Sequence, residues 1–179
     1  MQDKISALIS ASIDVKTKLL SDTNIKDRIS QVSKELVHAF RNKKRIWFCG
    51  NGGSAADAQH LAAEFSGRFY LNRIALPAEA LHCNTSYLTA VANDYSYDEV
   101  YSRLVEGICE EGDVLIGLST SGNSSNIVKA FVTAKEKKIT TIGFTGESGG
   151  KLKPLSDYLF NVPSQDTPRI QESHMLIRH

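Results

Sequence analysis

Hydrophobic residues along the chain follow two different periods, and each period predicts one kind of secondary structure. In the first forty residues and in several later stretches, apolar residues recur three and four positions apart, as on the buried face of a helix. Between the later helical stretches lie short apolar runs bounded by glycine and polar residues, as expected of strands. The predicted helices are Lys4–Leu20, Ile25–Phe40, Ala55–Arg68, Ser86–Ala92, Asp98–Ile108, Asn126–Lys137 and Pro168–Ile177. The predicted strands are Arg45–Cys49, Ala78–Cys83, Val114–Leu118, Ile139–Phe144 and Tyr158–Val162.

The order of these elements predicts the fold class. Residues 114–118 read VLIGL, an uninterrupted apolar run that is typical of a strand buried on both faces of a parallel sheet. Strands that alternate with helices predict a parallel sheet covered by helices on both faces. We therefore predict one α/β domain over residues 1–179, a three-layer sandwich of flavodoxin-like or Rossmann-like type. Its N-terminal helical extension would cover residues 1–42 and its α/β core residues 43–179.

Composition narrows the function classes. With 179 residues, 41% of them hydrophobic and 23% charged, the chain has an ordinary globular composition and the length of one domain. A net charge of +1 gives no reason to expect a nucleic-acid or membrane partner. There is neither a membrane-length apolar run nor a signal-peptide pattern, so we expect a cytoplasmic protein. The three cysteines form no disulfide framework or CxxC pair, and we expect them reduced and mostly buried: Cys49, Cys83 and Cys109.

Two loops that follow predicted strands have the composition of a phosphate-binding site. The first, residues 50–54, reads GNGGS; its glycines allow the backbone to approach a ligand closely, and Asn51 and Ser54 add polar side chains. The second, residues 119–124, reads STSGNS and precedes a helix, whose N-terminal N–H groups and dipole favour an anion. In such folds, ligands bind at the carboxyl ends of the strands. A plain tight turn and a hydroxyl-rich helix cap are the structural alternatives for the two loops.

The same loops indicate a small phosphate ester rather than a nucleotide. The second loop has no lysine after its glycine, so GxxxxGK[ST] is absent, and GNGGS lacks the full G-x-G-x-x-G spacing. Phosphate charge would be met by dipoles and hydroxyl donors instead.

Candidate catalytic residues lie on two predicted helices. His60 and Glu64 are four residues apart and therefore share a helix face. Gln171 precedes His179 by eight residues, about 80° around an ideal helix, but it also shares a face with His174, so spacing alone does not choose between the two histidines. A carboxylate base, an imidazole and a metal ion are sufficient for aldose–ketose isomerisation, in which a proton moves between C1 and C2 through an enediol.

Four motifs in collinear order resemble the sugar isomerase (SIS) domain family, and specifically the phosphoheptose isomerases. They are CGNGGSAADAQHLAAEFSGR, ANDY, LIGLSTSGNSSNIVKA and TPRIQESHMLIRH. The resemblance runs from about residue 45 to the end, and the paired N-terminal helices also suit that family. It implies an aldose–ketose isomerase that converts sedoheptulose 7-phosphate to D-glycero-D-manno-heptose 7-phosphate, the first step towards the heptose of lipopolysaccharide or related glycans. It further implies one Zn²⁺ per subunit and a homotetramer with sites at subunit interfaces.

The resemblance also implies roles for individual residues. Glu64 and His179 match the family's catalytic pair, and this choice selects His179 over His174. The implied zinc ligands are His60, Glu64, Gln171 and His179. The implied substrate-binding residues are Asn51, Gly52, Gly53, Glu64, Asn93, Asp94, Ser119, Thr120, Ser121, Ser124 and Gln171. Three further candidates lie close to these motifs: Ser54, Arg68 and Asp166.

The end of the sequence departs from the family pattern. The family's last helix runs on for several turns beyond the position of His179, and Arg178 stands where a small or apolar residue is usual. We expect a histidine without a following helical turn to fray, which would weaken metal affinity, catalysis or assembly.

Two other functions are compatible with an SIS domain. One is a non-enzymatic regulatory or binding protein of the DnaA-associating type, which has no need of the four implied zinc ligands together. The other is an isomerase or amidotransferase-type enzyme for a hexose phosphate. The joint presence of the HxxxE pair and the Q…H pair favours the heptose isomerase.

Several residues that resemble functional groups are interpreted as structural. His38 lies in an N-terminal helix without a motif, and His82 lies beside Cys83 without a further metal ligand at suitable spacing. The aromatic cluster of Tyr95, Tyr97 and Tyr101 is expected to pack at a subunit or helix interface.

Overall fold

The computed structural model describes all 179 residues, in seven α-helices and five strands. The helices are α1 (Gln2–Ser21), α2 (Thr23–Arg41), α3 (Gly53–Ser66), α4 (Thr85–Asp94), α5 (Val100–Ile108), α6 (Ser125–Glu136) and α7 (Thr167–Arg178). The strands are β1 (Ile46–Gly50), β2 (Ala78–Ala80), β3 (Val114–Leu118), β4 (Thr140–Thr145) and β5 (Tyr158–Asn161). Short 3₁₀ segments cover Tyr97–Glu99 and Gly150–Leu155. None of the helices combines the length and the apolar composition that a membrane crossing requires.

The five strands form one parallel sheet in the order β2-β1-β3-β4-β5. This is the order of flavodoxin-like folds, in which the chain reverses its direction of winding between β1 and β3. The central strands β1 and β3 are buried along their whole length, because helices cover both faces. The predicted fold class, a three-layer α/β sandwich with a helical N-terminus, is confirmed.

Two hydrophobic clusters lie on opposite faces of the sheet. Ile46 and Phe48 of β1 belong to the cluster that α1, α2, α3 and α7 cover, whereas Trp47 and Cys49 belong to the cluster that α4, α5 and α6 cover. This alternation follows from the two-residue period of a strand, which directs successive side chains to opposite faces. Both clusters consist of fully buried aliphatic and aromatic side chains, and their burial is the main source of stability.

A buried carboxylate joins the amino ends of β1 and β3. Asp113 is 2% exposed and accepts hydrogen bonds from the backbone N–H of Arg45 at 2.9 Å, from Trp47 Nε1 at 2.9 Å and from the backbone N–H of Glu110 at 3.0 Å. Three donors offset the cost of burying the charge. Asp113 therefore holds the two strands in register at the edge of the sheet opposite the loops that follow them.

The N-terminal helices pack on the core rather than extending away from it. Asp22 caps α2 by accepting from the backbone N–H groups of Asn24 and Ile25. Lys16 of α1 pairs with Glu172 of α7 at 3.2 Å, so the first and last helices are joined. The outer face of α1 keeps four apolar side chains about half exposed: Ile5, Leu8, Ile9 and Ile13.

Most element boundaries differ from the sequence prediction by one or two residues, and three of the differences have a local structural cause. The second strand ends at Ala80 rather than Cys83, because it is an edge strand that pairs only with β1 and over three residues. Helix α4 begins at Thr85 and continues to Asp94, since the side chain of Asn84 caps it by accepting from the backbone N–H of Tyr87 at 3.0 Å. The helix predicted from Asp98 starts as a 3₁₀ turn and becomes α-helical only at Val100.

Candidate active site

The two polar loops lie side by side at the carboxyl edge of the sheet. Strands β1 and β3 are parallel neighbours, and Gly50 at the end of β1 lies opposite Leu118 at the end of β3. The loops that follow them start α3 and α6, so two helix N-termini meet at the point where the strand order reverses. Ligands of doubly wound α/β folds bind at this point.

The first loop depends on glycine for its shape. Gly52 adopts φ 54° and ψ −122°, a backbone conformation that side chains other than glycine rarely permit, and it immediately precedes α3. The backbone N–H groups of Ser54 and Ala55 bond back to the carbonyls of Asn51 and Gly52 at 3.0 Å each, which closes the turn. Ser54 is buried beneath the loop, whereas Gly52 and Gly53 are exposed to a ligand.

The second loop is held by its own hydroxyls and by a neighbouring turn. Ser119 Oγ lies 2.9 Å from Ser124 Oγ, and Ser121 Oγ accepts from the backbone N–H of Asn123 at 3.1 Å. Gly122 has φ +68°, and a Cβ at this position would lie 2.2 Å from the Gly149 carbonyl oxygen. Because the Ser124 side chain makes no capping bond to α6, its hydroxyl and the dipole of that helix are available to an anion.

A polar cleft of about 600 Å³ opens beside the second loop. Its lining includes Thr120 and Ser121 of the second loop, Glu147 after β4, and Ser164 and Gln165 before α7. Its lining offers mainly hydroxyl, amide and backbone groups, which suits a hydroxylated ligand better than an apolar one.

Three residues that the sequence analysis did not assign to the site hold the first loop, and one of them, Asn126, joins it to the start of α6. Asn126, 2% exposed at the start of α6, forms two reciprocal amide hydrogen bonds of 2.9 Å with Asn51. The Tyr97 hydroxyl donates to Asn51 Oδ1 at 3.1 Å, and the Tyr101 hydroxyl donates to the Gly50 carbonyl. The prediction that Tyr97 and Tyr101 pack at an interface is therefore incomplete, because the hydroxyl groups of both residues also donate hydrogen bonds to the first loop. Asn126 directly follows the STSGNSS motif, so it lies between a polar loop and an apolar helix face. An amide side chain at that position was the sequence feature that could have marked Asn126 as a site residue.

Three of the predicted catalytic and metal-binding residues converge at the far end of α3. Glu64 Oε1 lies 3.1 Å from His60 Nε2 and 3.4 Å from His179 Nε2. One possible ligand atom from each of the three side chains lies within 4.8 Å of the other two. Phe69 stacks on the His179 imidazole with ring centroids 5.4 Å apart, which restricts that ring. We name this group the His–Glu–His cluster.

The His–Glu–His cluster has the donor set of a zinc site. Two imidazole nitrogens and one carboxylate oxygen are common zinc ligands, and catalytic zinc sites use three protein ligands with an open fourth position. All three side chains have solvent access, with 48%, 18% and 31% of the His60, Glu64 and His179 side chains exposed. Donor type and spacing therefore fit a divalent ion.

The remaining predicted residues lie elsewhere. The Gln171 side chain lies against the first loop, where a Cβ at Gly53 would be 3.0 Å from its Nε2 atom. Since α7 rises about 1.5 Å per residue, Gln171 and His179 are about 12 Å apart along the helix axis. Asn93 donates to Asp94 at 2.9 Å at the exposed end of α4, close in sequence to Tyr97. Arg68 is exposed after α3, and Asp166 is the exposed residue before α7.

His174 does not belong to the site. It is fully buried, and its Nε2 lies 3.1 Å from the Thr145 carbonyl oxygen. Burial lowers the pKa of His174 to about 4, so the ring is neutral near pH 7 and donates its Nε2–H to Thr145. The selection of His179 over His174 agrees with this placement.

A buried ion pair fastens the end of α7 to α3 beneath the His–Glu–His cluster. Arg178 Nη2 lies 3.4 Å from Asp57 Oδ1, and the two side chains are only 2% and 19% exposed. The guanidinium group borders an apolar cavity of about 90 Å³ that Phe48, Leu61 and Ile116 help to line, and its Nε and Nη1 atoms have no partner in the chain. Asp57 supplies the counter-charge that the burial of Arg178 requires.

Comparisons with known proteins relate the chain to one family. The SIS domain family matches residues 13–146. The chain is 52% identical to the phosphoheptose isomerase of Clostridium acetobutylicum, over all of this chain and 91% of that protein, and 50% identical to that of Mycobacterium tuberculosis, over 94% and 86%. The chain belongs to the phosphoheptose isomerase family. A solved phosphoheptose isomerase from Francisella tularensis superposes with a TM-score of 0.95 at 34% identity, covering 99% of this chain and 94% of that one.

The family assignment confirms the recognition made from the four motifs. The phosphoheptose isomerase structure from Neisseria gonorrhoeae superposes with a TM-score of 0.93 at 41% identity and covers 99% of this chain, so the similarity includes the N-terminal helices. The regulatory alternative finds no support in these comparisons. The roles of individual residues in the phosphoheptose isomerase site stay predictions.

Removing Asp57 is expected to destabilise the protein strongly. Asp57→Ala would leave the Arg178 guanidinium buried without a counter-charge, which costs about 3–5 kcal/mol of unfolding free energy. Adding Arg178→Leu removes that charge and places an apolar side chain beside an apolar cavity, so the double variant should recover most of the loss. Urea unfolding of the wild type and the variants measures both effects.

The control is an ion pair of the same length on the surface. Glu111 and Lys138 are also 3.4 Å apart, but their side chains are 69% and 74% exposed. Glu111→Ala should therefore change the unfolding free energy by at most about 1 kcal/mol. If Asp57→Ala cost no more than Glu111→Ala, the buried pair would not be what holds the end of α7.

Proposed function

We propose that this chain isomerises sedoheptulose 7-phosphate to D-glycero-D-manno-heptose 7-phosphate, an aldose–ketose conversion. The observation that carries the proposal is the convergence of His60, Glu64 and His179 in a chain 52% identical to a phosphoheptose isomerase. A carboxylate between two imidazoles supplies a base and an acid/base partner, which are the groups that an enediol reaction needs.

The second loop is proposed to bind the phosphate. The hydroxyls of Ser119, Ser121 and Ser124 and the N-terminus of α6 supply donors and a favourable dipole for a dianion without a buried lysine or arginine. Asn51 and Gly53 of the first loop lie beside it and would contact the sugar hydroxyls. This arrangement holds the reacting carbons in a constant position relative to the phosphate.

Glu64 is proposed to move the proton between the two reacting carbons. From the ketose, its carboxylate takes the C1 proton while the C2 carbonyl oxygen gains a proton, which gives the enediol. Glu64 then returns its proton to C2 as the O1 hydroxyl loses its proton, which completes the aldose. His179, whose Nε2 lies 3.4 Å from Glu64 Oε1, would donate and accept the protons of the oxygens.

We propose that His60, Glu64 and His179 hold the zinc ion. A bound zinc ion would polarise the sugar carbonyl. Glu64 would then serve as both ligand and base, and a carboxylate that binds a metal ion is less available to accept a proton. Gln171 remains a predicted fourth ligand, although its side chain lies against Gly53 in this structure.

Distances within one chain support the proposed sharing of sites between subunits. Glu64 lies eleven residues after Gly53 on α3, about 16 Å along the helix axis. A heptose phosphate spans only roughly 10 Å, with about eight bonds of about 1.5 Å in a zigzag chain. The phosphate loop and the His–Glu–His cluster of the same chain therefore lie at opposite ends of α3, further apart along the axis than the substrate is long. We propose that a second copy supplies the cluster, within the homotetramer that the resemblance implies.

Exposed apolar side chains provide surfaces for such an assembly. Tyr70, Leu71 and Ile74 are between 72% and 89% exposed in the segment that follows α3, next to the His–Glu–His cluster. The apolar outer face of α1 forms a second such surface. Apolar patches of this kind commonly mark protein interfaces.

Glu64→Gln is expected to lower kcat for sedoheptulose 7-phosphate at least a hundredfold, because the amide does not accept the C1 proton. Both isomers are quantified by NMR of the purified protein with the ketose phosphate. His38→Gln, a change at an exposed histidine outside the site, should retain wild-type kcat. A Glu64→Gln protein with wild-type turnover would remove Glu64 from the chemistry.

Zinc is expected to bind with a stoichiometry of one ion per chain. His60→Ala and His179→Ala should each weaken zinc affinity at least tenfold, because each substitution removes one of the three proposed zinc ligands. Calorimetric titration of chelator-treated protein measures this without reference to activity, and His38→Ala is the matched control. Equal zinc affinity of all four proteins would place the metal elsewhere.

Two inactive variants should restore activity to each other if sites are shared. Ser121→Asp places a negative charge at the exposed phosphate loop, so this variant should not bind the phosphate. When it is co-expressed with Glu64→Gln, mixed assemblies contain sites with a wild-type loop from one chain and a wild-type Glu64 from another. Recovered turnover supports the shared site, whereas mixed assemblies without turnover, or a monomer in sedimentation, contradict it.

A further inference from the structure

The amide orientation of Asn126 is determined by a backbone group. Asn126 Oδ1 accepts from the backbone N–H of Ile127 at 3.0 Å and from Asn51 Nδ2 at 2.9 Å. A backbone N–H is only ever a donor, so the atom that faces it is the oxygen of the amide. The Nδ2 group of Asn126 therefore points the other way and donates to Asn51 Oδ1 at 2.9 Å.

The amide orientation of Asn126 in turn determines the amide orientation of Asn51. Its Oδ1 atom receives one hydrogen bond from Asn126 and a second from the Tyr97 hydroxyl at 3.1 Å, which occupies both acceptor positions. Its Nδ2 group uses one N–H on Asn126, and the other N–H has no partner in the chain. Rotating the Asn51 amide by half a turn would place two oxygens in contact and two N–H groups in contact, and would break both hydrogen bonds with Asn126.

We infer that Asn126 is a positioning residue which makes Asn51 a hydrogen-bond donor, and not an acceptor, to an oxygen atom of the bound sugar phosphate. The inference rests on the proposed function and assigns the polarity of recognition at the first loop. The matching ligand group is an oxygen with a free lone pair, such as a carbonyl, ether, phosphate or ionised enediol oxygen. A hydroxyl that must donate its proton finds no acceptor on Asn51.

The burial of Asn126 explains why the Asn51–Asn126 pair determines that Asn51 offers a donor to a ligand. Asn126 is 2% exposed, so a hydrogen bond lost by its side-chain amide is not replaced by a hydrogen bond to water. Tyr97 is 48% exposed and contributes one bond from the outside, so it reinforces the orientation without determining it. A donor held in advance needs no reorganisation when substrate binds, which is the condition for efficient recognition.

A double-mutant cycle tests the positioning role. Asn126→Ala should lower kcat/KM for sedoheptulose 7-phosphate about 10- to 100-fold, the range for residues that orient a ligand-binding group. In an Asn51→Ala background the same change should have no further effect on kcat/KM, because Asn126 acts through Asn51. Equal fold losses in both backgrounds, or no loss in the wild-type background, would overturn the inference.

A second cycle keeps the test decisive if Asn126→Ala does not fold. Tyr97→Phe removes from a half-exposed ring the single hydroxyl that donates to the same Asn51 oxygen. It should lower kcat/KM in the wild-type background and have no effect once Asn51 is alanine. An undiminished loss in the Asn51→Ala background contradicts the inference.

The donor polarity has a separate test. Asn51→Asp keeps the shape and still accepts from Asn126 Nδ2 and Tyr97, but its second oxygen faces Asn126 Oδ1 and its carboxylate has no hydrogen to donate to the substrate. It should bind the sugar phosphate more weakly than Asn51→Ala, because a negative oxygen then faces a ligand oxygen. Wild-type affinity in Asn51→Asp would refute the donor assignment.

The affinity measurements separate this inference from the proposed function. The dissociation constant of sedoheptulose 7-phosphate is measured by calorimetry for every member of both cycles, alongside turnover. Binding without turnover in the wild type would refute the proposed isomerase, and the cycles in affinity would still decide the role of Asn126. Additive effects in affinity would overturn the positioning role even if the isomerase activity were established.

Discussion

The parallel pairing of β1 with β3 is the constraint on which the candidate site depends. It places Gly50 opposite Leu118, and so brings the two polar loops and the starts of α3 and α6 together at one point of the sheet edge. Asp113 holds the opposite edge through three donors, and the Asn51–Asn126 amide pair joins the loops themselves. The strand register thereby determines which polar groups a ligand meets.

The packing of α3 against α7 determines how the candidate acid–base residues are arranged. It brings His60, Glu64 and His179 within hydrogen-bonding range, and the buried pair of Asp57 and Arg178 lies directly beneath. The cluster has the donor set of a zinc site, and the proposed function also assigns it the base and the acid of the isomerisation. Both proposed uses require the Glu64 carboxylate, so zinc binding and proton transfer would compete for it.

The length of α3 separates the two parts of the candidate site. Its first turn borders the polar loops and its last turn carries Glu64, about 16 Å further along. The shared site proposed above would combine the loops of one chain with the His–Glu–His cluster of another. The exposed apolar residues of α1 and of the segment after α3 provide contact surfaces that are consistent with a shared site.

Local patterns were sufficient to predict the fold class and the family and to nominate most candidate residues, because periodic apolar positions, glycine-rich turns and hydroxyl-rich helix starts each lie within one short segment. The sequence also paired His60 with Glu64, since a helix brings residues four apart to one face. Only the tertiary structure decided which distant residues meet. Asn126 contacts Asn51 across 75 positions, Arg178 contacts Asp57, and Gln171 lies with Gly53 rather than with His179. These contacts depend on strand register and on helix packing, which result from burying the whole core at once and are not encoded by any single segment.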